Sequence, residues 1–335
     1  MVLSAGSRCR RVAMMGQGNV SRPGSASSRG SSSGEPTPVP RHAGTGVGRD
    51  CFRVLPSGQA DRSGQKSEIV QHATCELCGP QHERVYRAVR GHYSSDQFVI
   101  RTCRSCGLVF VSPRLSSAFR SFCYEYEEHL VEHFLRSSEE ARRGADRQLD
   151  VLETLGCHAG KLLDVGCGIG TFLDVASGRG FDTWGIELNR GCAAYASKRH
   201  RVLRVDFLVA DVPTAEYDVI VMNQTLEHLG EPLRALTVAA QALRPGGLLF
   251  VGVPRCDWVS LTVGSVLRSR SSIAGRFSPA WSPEDHLYYF TPKCMRRYLE
   301  AVLMTVEQMR SRRHGGRIAK VLGLSDGEFL ARKPA

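Results

Sequence analysis

The chain has 335 residues, 42% apolar and 23% charged, with no apolar run near the roughly 20 residues needed to cross a bilayer; this excludes a helical membrane span and fits an ordinary globular protein. A net charge of +11 would suggest nucleic acid, but the excess is not central: residues 1–66 hold 10 Lys+Arg against 3 acids and 293–335 hold 10 against 4, leaving the stretch between slightly acidic. That distribution weakens a nucleic-acid reading without excluding it, since a basic tail can bind polyanions non-specifically.

Residues 1–66 are rich in Ser, Gly, Pro and Arg ("SRPGSASSRGSSSGEPTPVPRHAGTG") and nearly free of large apolar side chains. Such a segment cannot offset the entropy of ordering, so a disordered tail is expected. It also lacks the apolar stretch of a secretory signal, which points to the cytoplasm. Residues 70–112 surround Cys75-x-x-Cys78 and Cys103-x-x-Cys106. "CELCG" and "CRSCG" each end in a glycine that allows a tight knuckle, and four thiolates at this spacing suit a tetrahedral, structural Zn²⁺ with no open position. A redox role would need only one pair. His72, His82 and His92 are surplus to that ligand set and are expected at the surface. Residues 113–157 carry apolar residues at helical spacing and form a helical connector that ends at Gly156.

From 158 to 335 strands and helices alternate. Strands are expected at 161–165, 183–187, about 202–209, 217–222 and 248–253, with helices at about 170–178, 190–199 and 231–243. "LRPGG" at 243–247 stops a helix and turns. Residues 254–290 lack periodicity and are read as a lid or acceptor loop. A helix at 293–304 and one or two strands in 305–335 complete the chain. This order predicts an α/β fold, a Rossmann-like, doubly wound, mostly parallel seven-stranded sheet preceded by the zinc ribbon and the connector.

The turn "DVGCGIG" contains Gly166, Gly168 and Gly170 as GxGxG, not the GxGxxG that draws a pyrophosphate to a helix N-terminus. Asp164, two residues ahead of the first glycine, would repel phosphate. It would attract a ligand with an ammonium and a sulfonium, and S-adenosylmethionine has both. Glu187 closes the second strand where an acid can accept from both ribose hydroxyls. Asp211 could meet the adenine edge, although Asp206 lies near enough to take that place. Cys167 inside the turn reads as a small buried thiol.

Taken as a set, "LLDVGCGIG" (162–170), "GIELN" (185–189), "ADV" (210–212), "YDVIVMNQTLEHL" (217–229) and "LRPGGLLFVGVP" (243–254) resemble the class I S-adenosylmethionine-dependent methyltransferases. The resemblance implies that Asp164, Gly166, Cys167, Gly168 and Gly170 surround the methionine end. It implies that Glu187 with Leu188 holds the ribose, that Asp211 and Val212 flank the adenine, and that Asn223 and Gln224 face the methyl group. The cysteine ribbon, the connector and "EDHLYYFTPKCMRRYLE" make the chain similar to a bacterial group related to sugar C-methyltransferases. Ribosomal RNA guanine methyltransferases also carry such a ribbon. The expected activity is methyl transfer to an oxygen or carbon of a small-molecule, sugar or glycan-like acceptor, with His228 and His286 as candidate bases and Trp258 and Trp281 as candidate pocket walls. Tyr288, Tyr289 and Phe290 are expected to pack. The alternatives are an RNA base methyltransferase, a non-catalytic S-adenosylmethionine-binding protein and, more distantly, a dehydrogenase.

Overall fold

A computed structural model describes residues 70–90, 97–125, 127–254, 283–313 and 325–335, all within one unit spanning Gly46–Ala335. The expected tail at 1–66, His92, and most of the expected lid with Trp258 and Trp281 lie outside the described residues.

The first strands are β1 (Val70–Gln71), β2 (Glu83–Arg90), β3 (Gln97–Cys103), β4 (Val109–Val111) and β5 (Arg114–Leu115). Three helices follow, α1 (Ser117–Glu125), α2 (Leu130–Arg136) and α3 (Ser138–Thr154), so the connector is broken twice rather than continuous. The alternating part runs β6 (Gly160–Val165), α4 (Thr171–Gly178), β7 (Phe181–Ile186), α5 (Arg190–Ala196), β8 (Arg201–Leu203), β9 (Tyr217–Asn223), α6 (Pro232–Ala242) and β10 (Leu243–Pro254). It closes with β11 (Tyr288–Tyr289), α7 (Pro292–Ala301), β12 (Thr305–Arg313) and β13 (Ser325–Arg332).

Seven strands form one sheet in the order β12-β13-β10-β9-β6-β7-β8. Neighbours from β10 to β8 are parallel, and only β13 runs antiparallel, to both β10 and β12. The inner strands are apolar because both faces are covered. On one face Leu163, Ile220, Leu249 and Val251 pack against Leu236 and Ala239 of α6 and Tyr298 of α7. On the other, Leu162, Val219 and Phe250 pack against Leu149 and Leu152 of α3 and Leu173 of α4. The chain winds outward from β6 through β7 to β8, then returns to β9 on the other side of β6. The crevice at the carboxyl ends of β6 and β9 is therefore the switch point where open α/β sheets bind ligands.

β8 is shorter than the expected 202–209. Asp206 accepts from the Leu208 amide at 2.9 Å, a local turn that competes with further strand. β2, β3 and β4 form a second, antiparallel sheet, and its fourth strand is β11, through Tyr288↔Phe110 and Tyr289↔Val109. Cys103, Cys106, Leu108 and Phe110 consequently share one hydrophobic cluster with Phe290, Met295 and Tyr298.

Candidate functional site

β6 runs straight into the glycine turn. Gly166, Gly168 and Gly170 all have positive φ, 76°, 54° and 84°. At Gly166 a side chain is also excluded by space: a Cβ would lie 2.5 Å from Thr225 Oγ1, which donates to the Val165 carbonyl at 2.9 Å. The open turn leaves its amides to the end of β7. Glu187 accepts from Gly168 N at 2.8 Å and Asn189 N at 2.7 Å, tying the turn to the neighbouring loop.

Asp164 and Glu187 are both buried, and no cation among the described residues acts on either. Burial, then the charge of Glu187, pushes the Asp164 carboxyl up to about 7. Burial also raises Glu187, against the lowering effect of its backbone donors. Two acids held this close without a cation make a site that a positive ligand relieves.

Two adjoining cavities open here. One of about 140 Å³ is walled by Asp164, Gly166, Cys167, Gly168 and Asn223. The larger, about 430 Å³, includes Gly166, Glu187, Leu188, Asn223, Gln224 and His228 in its lining. The structure thus brings together nearly all the residues expected around the donor, with Gly170 just beneath as the N-cap of α4. Asp211 and Val212 do not line either cavity, and Asp211 is exposed. The turn that ends β8 early puts Asp206 and Phe207 on the wall instead. Cys167 is buried, and burial together with Asp164 and Glu187 drives its thiol well above the ordinary range, so it stays a neutral packing group.

The connector supplies residues that motif reading missed. Tyr124, Glu127, Leu130, His133 and Phe134 line the larger cavity. Phe134 lies over the glycine turn, its ring 3.5 Å from where a Cβ of Gly168 would stand. Asn189 holds the connector down. Its amide nitrogen donates to the carbonyls of Tyr124 (2.7 Å) and Glu127 (2.9 Å), while its Oδ1 caps α5 by accepting from Cys192 N at 2.9 Å. An Asn two residues past the strand-end acid, opening a helix, was the only available signal.

In the same large cavity, His228 closes the single turn Leu226–His228. Its Nδ1 is 2.8 Å from the Asp285 carbonyl oxygen. The His228 and His286 rings meet edge to face with centroids 4.8 Å apart. Burial pushes His228 down to about 3, with His286 and Arg120 adding to the effect, and burial also lowers His286. Both imidazoles are neutral near pH 7. Arg120 donates to the carbonyls of His228 (2.6 Å), Glu284 (3.3 Å) and Asp285 (3.3 Å), fixing this corner. Tyr288, Tyr289 and Phe290 are buried packing residues, as expected; the Tyr288 hydroxyl donates to the Gly230 carbonyl at 3.0 Å.

The four expected zinc ligands converge: Cys75, Cys78, Cys103 and Cys106 place their sulfurs within 4.8 Å of one another, with Cys75 and Cys106 3.5 Å apart. Metal–sulfur bonds of about 2.3 Å in a tetrahedron separate sulfurs by roughly 3.8 Å, which this cluster fits. The knuckles match: Gly79 N donates to Cys75 O at 2.8 Å and Gly107 N to Cys103 O at 2.9 Å. Arg297 donates to Cys78 Sγ at 3.4 Å, a cation beside the thiols. His72 and His82 are exposed. Cys294, fully buried, hydrogen-bonds Cys106 from α7 and was not anticipated.

A family model described as a methyltransferase domain matches residues 130–307. Among solved structures, the chain is similar to the Burkholderia thailandensis 1,6-didemethyltoxoflavin-N1-methyltransferase with bound 1,6-didemethyltoxoflavin and S-adenosylhomocysteine, at 19% identity over 74% of this chain and 100% of that one, TM-score 0.47. It is also similar to the [4+2]-cyclase SpnF, at 21% identity over 57% and 81%, TM-score 0.43. A third likeness is to an S-adenosylmethionine-dependent methyltransferase from Methanosarcina mazei, at 17% identity over 52% and 92%, TM-score 0.41. No curated protein matches the chain.

Proposed function

The chain belongs to the methyltransferase-domain family, and from that premise we propose that it transfers the methyl group of S-adenosylmethionine to an oxygen or carbon of a small-molecule, sugar or glycan-like acceptor. The observation that carries the reading is the pair of buried, cation-less carboxylates, Asp164 and Glu187, at the switch point of the sheet. S-adenosylmethionine supplies a methyl group activated by a sulfonium. Asp164 faces its ammonium. Glu187, whose two oxygens each accept one backbone amide, keeps lone pairs for ribose hydroxyls. Asp206 and Phe207 take the adenine end in place of Asp211 and Val212. Asn223, which lines both cavities, and Gln224 stand toward the methyl end.

His228 and His286, which both line the larger cavity, are the groups that engage the acceptor. Alignment of an acceptor atom behind the methyl carbon is the main service such a wall provides. Cys75, Cys78, Cys103 and Cys106 hold one Zn²⁺ with a structural role, since four thiolates leave no position for chemistry. A sugar-like acceptor is favoured by the similarity of the ribbon and of 284–300 to the sugar C-methyltransferase group.

Calorimetric titration of the zinc-loaded chain with S-adenosylmethionine and S-adenosylhomocysteine tests the reading. One site per chain is expected, with Glu187→Gln weakening both ligands by about 10- to 100-fold, the loss of hydrogen bonds to a charged acceptor. A chain that binds neither ligand is no methyltransferase. Binding without turnover across a thermal-shift screen of hydroxylated acceptors would favour a non-catalytic role, and RNA retention at moderate salt would favour a base methyltransferase.

A further inference from the structure

Outside the donor site, three side chains with metal-ligating atoms converge. Glu227, His228 and His286 each offer one such atom, all within 4.8 Å of one another. Glu227 is fully buried, and among the described residues neither of its carboxylate oxygens has a hydrogen-bond partner. A buried, unpartnered carboxylate is among the costliest groups a fold can carry, and it is retained where something else satisfies it. His228 does not do so as a hydrogen-bond donor, because its Nε2 stands 3.8 Å from Glu227 Oε1, too far for one.

The tautomer of His228 is fixed by its other nitrogen. A carbonyl only accepts, so the 2.8 Å contact from Nδ1 to Asp285 O means that Nδ1 carries the hydrogen. Nε2 then holds a lone pair on the side of Glu227. An imidazole oriented through one nitrogen with the lone pair of the other presented is the arrangement of a metal-ligating histidine. His286 brings a second ring alongside. Both histidines line the 430 Å³ cavity, whereas Glu227 lies behind them, outside its lining. A cation held by all three would keep its remaining positions toward the cavity.

We propose that Glu227, His228 and His286 form a divalent-cation site, separate from the cysteine cluster, through which an oxygen-bearing acceptor is held by coordination. Two imidazoles and a carboxylate suit Mn²⁺ or Fe²⁺, while the four thiols select the softer Zn²⁺. Bonds of about 2.1 Å put neighbouring ligand atoms roughly 3.0–3.4 Å apart, so the three side chains close by about 1 Å around the ion. The acceptor's part in this rests on the methyl-transfer reading; the binding of the cation does not. With a hydroxyl acceptor the balance is simple. The carbon–sulfur bond breaks as the carbon–oxygen bond forms, the electron pair stays on sulfur as a thioether, and the hydroxyl proton, made more acidic by the cation, leaves to water.

The test is a titration of the zinc-loaded full chain with Mn²⁺, followed by the electron paramagnetic resonance signal of the free ion. Wild type should take up one Mn²⁺ per chain, and Cys103→Ser should take up the same. Glu227→Gln and His286→Asn should each weaken Mn²⁺ binding by at least about tenfold, the lower end of what disturbed ligation costs. S-adenosylhomocysteine affinity, measured on the same samples, should stay within about twofold and shows that each variant is folded. His286 is only half-buried, so its variant keeps the test open should Glu227→Gln unfold. Wild type that binds no Mn²⁺, or variants that bind it as tightly, would overturn the site. Mn²⁺ binding in a chain that ignores S-adenosylhomocysteine would leave the site standing and sink the methyltransferase reading instead.

Discussion

Asp164 shows how a single buried acid can set the pH response of a binding site. Its carboxyl, raised to about 7, is protonated in the donor-free folded chain below that pH. It must lose the proton to face a cation. Donor affinity should therefore rise between about pH 5 and pH 7, by up to tenfold per unit, while the ligand's own α-amino group stays charged. The same shift has the opposite sign for folding. Between the ordinary Asp value and about 7 the folded chain keeps a proton that the unfolded chain has lost, so this group's contribution to stability falls as pH climbs through that window. Asp164→Asn should bind S-adenosylhomocysteine more weakly and with a shallower pH slope. Equal slopes for wild type and variant in calorimetry from pH 5 to 7 would show that another group is responsible.

At the scale of elements, the connector and the helix α5 are coupled through Asn189. Loss of its side chain removes a helix cap, costing about 0.5–2 kcal/mol. It also leaves the carbonyls of Tyr124 and Glu127 without their donor, about 1–3 kcal/mol if they remain buried. Asn189→Asp separates the two roles, because a carboxylate can still cap α5 but has no N–H for the connector. The expected outcome is that Asn189→Asp recovers at most the cap's share of the thermal stability lost in Asn189→Ala, because its second oxygen faces the two carbonyls from a buried position. Both variants should show faster amide exchange over 117–136 and weaker donor binding, since Tyr124 and Phe134 are released from the cavity wall. Exchange in that segment as slow as in wild type would refute the coupling.

For the whole molecule, the cysteine module and the α/β sheet are one folding unit rather than two beads. β11 completes the small sheet, and Cys103, Cys106 and Phe110 share a core with Met295 and Tyr298. His286 stands two residues ahead of β11, so the cysteine cluster and the histidine pair are joined through one short strand. Removal of zinc by a strong chelator, or Cys103→Ser, should lower the melting temperature in a single cooperative transition. Below that temperature it should leave donor binding largely intact, because the residues proposed for the donor lie on β6, β7 and β9 or in the turns that follow them. Two separate melting transitions in the differential calorimetry trace would mean that the module is independent.

Much of this was legible from residue order. "KLLDVGCGIG", the acids at 164 and 187 and the paired cysteines are local patterns, and local patterns dictate a strand, a glycine turn and a pair of knuckles wherever they occur. The sheet could be expected for the same reason, as apolar runs alternating with amphipathic helices bury themselves in few ways. What lay beyond the sequence were contacts between distant segments. Asp206 rather than Asp211 reaches the cavity because a side-chain turn stops β8 early, and two nearby acids look alike on paper. Asn189 reaches back 65 residues to Tyr124, Tyr289 pairs with Val109, and Glu227 meets His286 only once β11 has brought 286 beside the end of β9. Periodicity reports which face of an element is buried, but not against what; that choice is made by the packing of the whole chain.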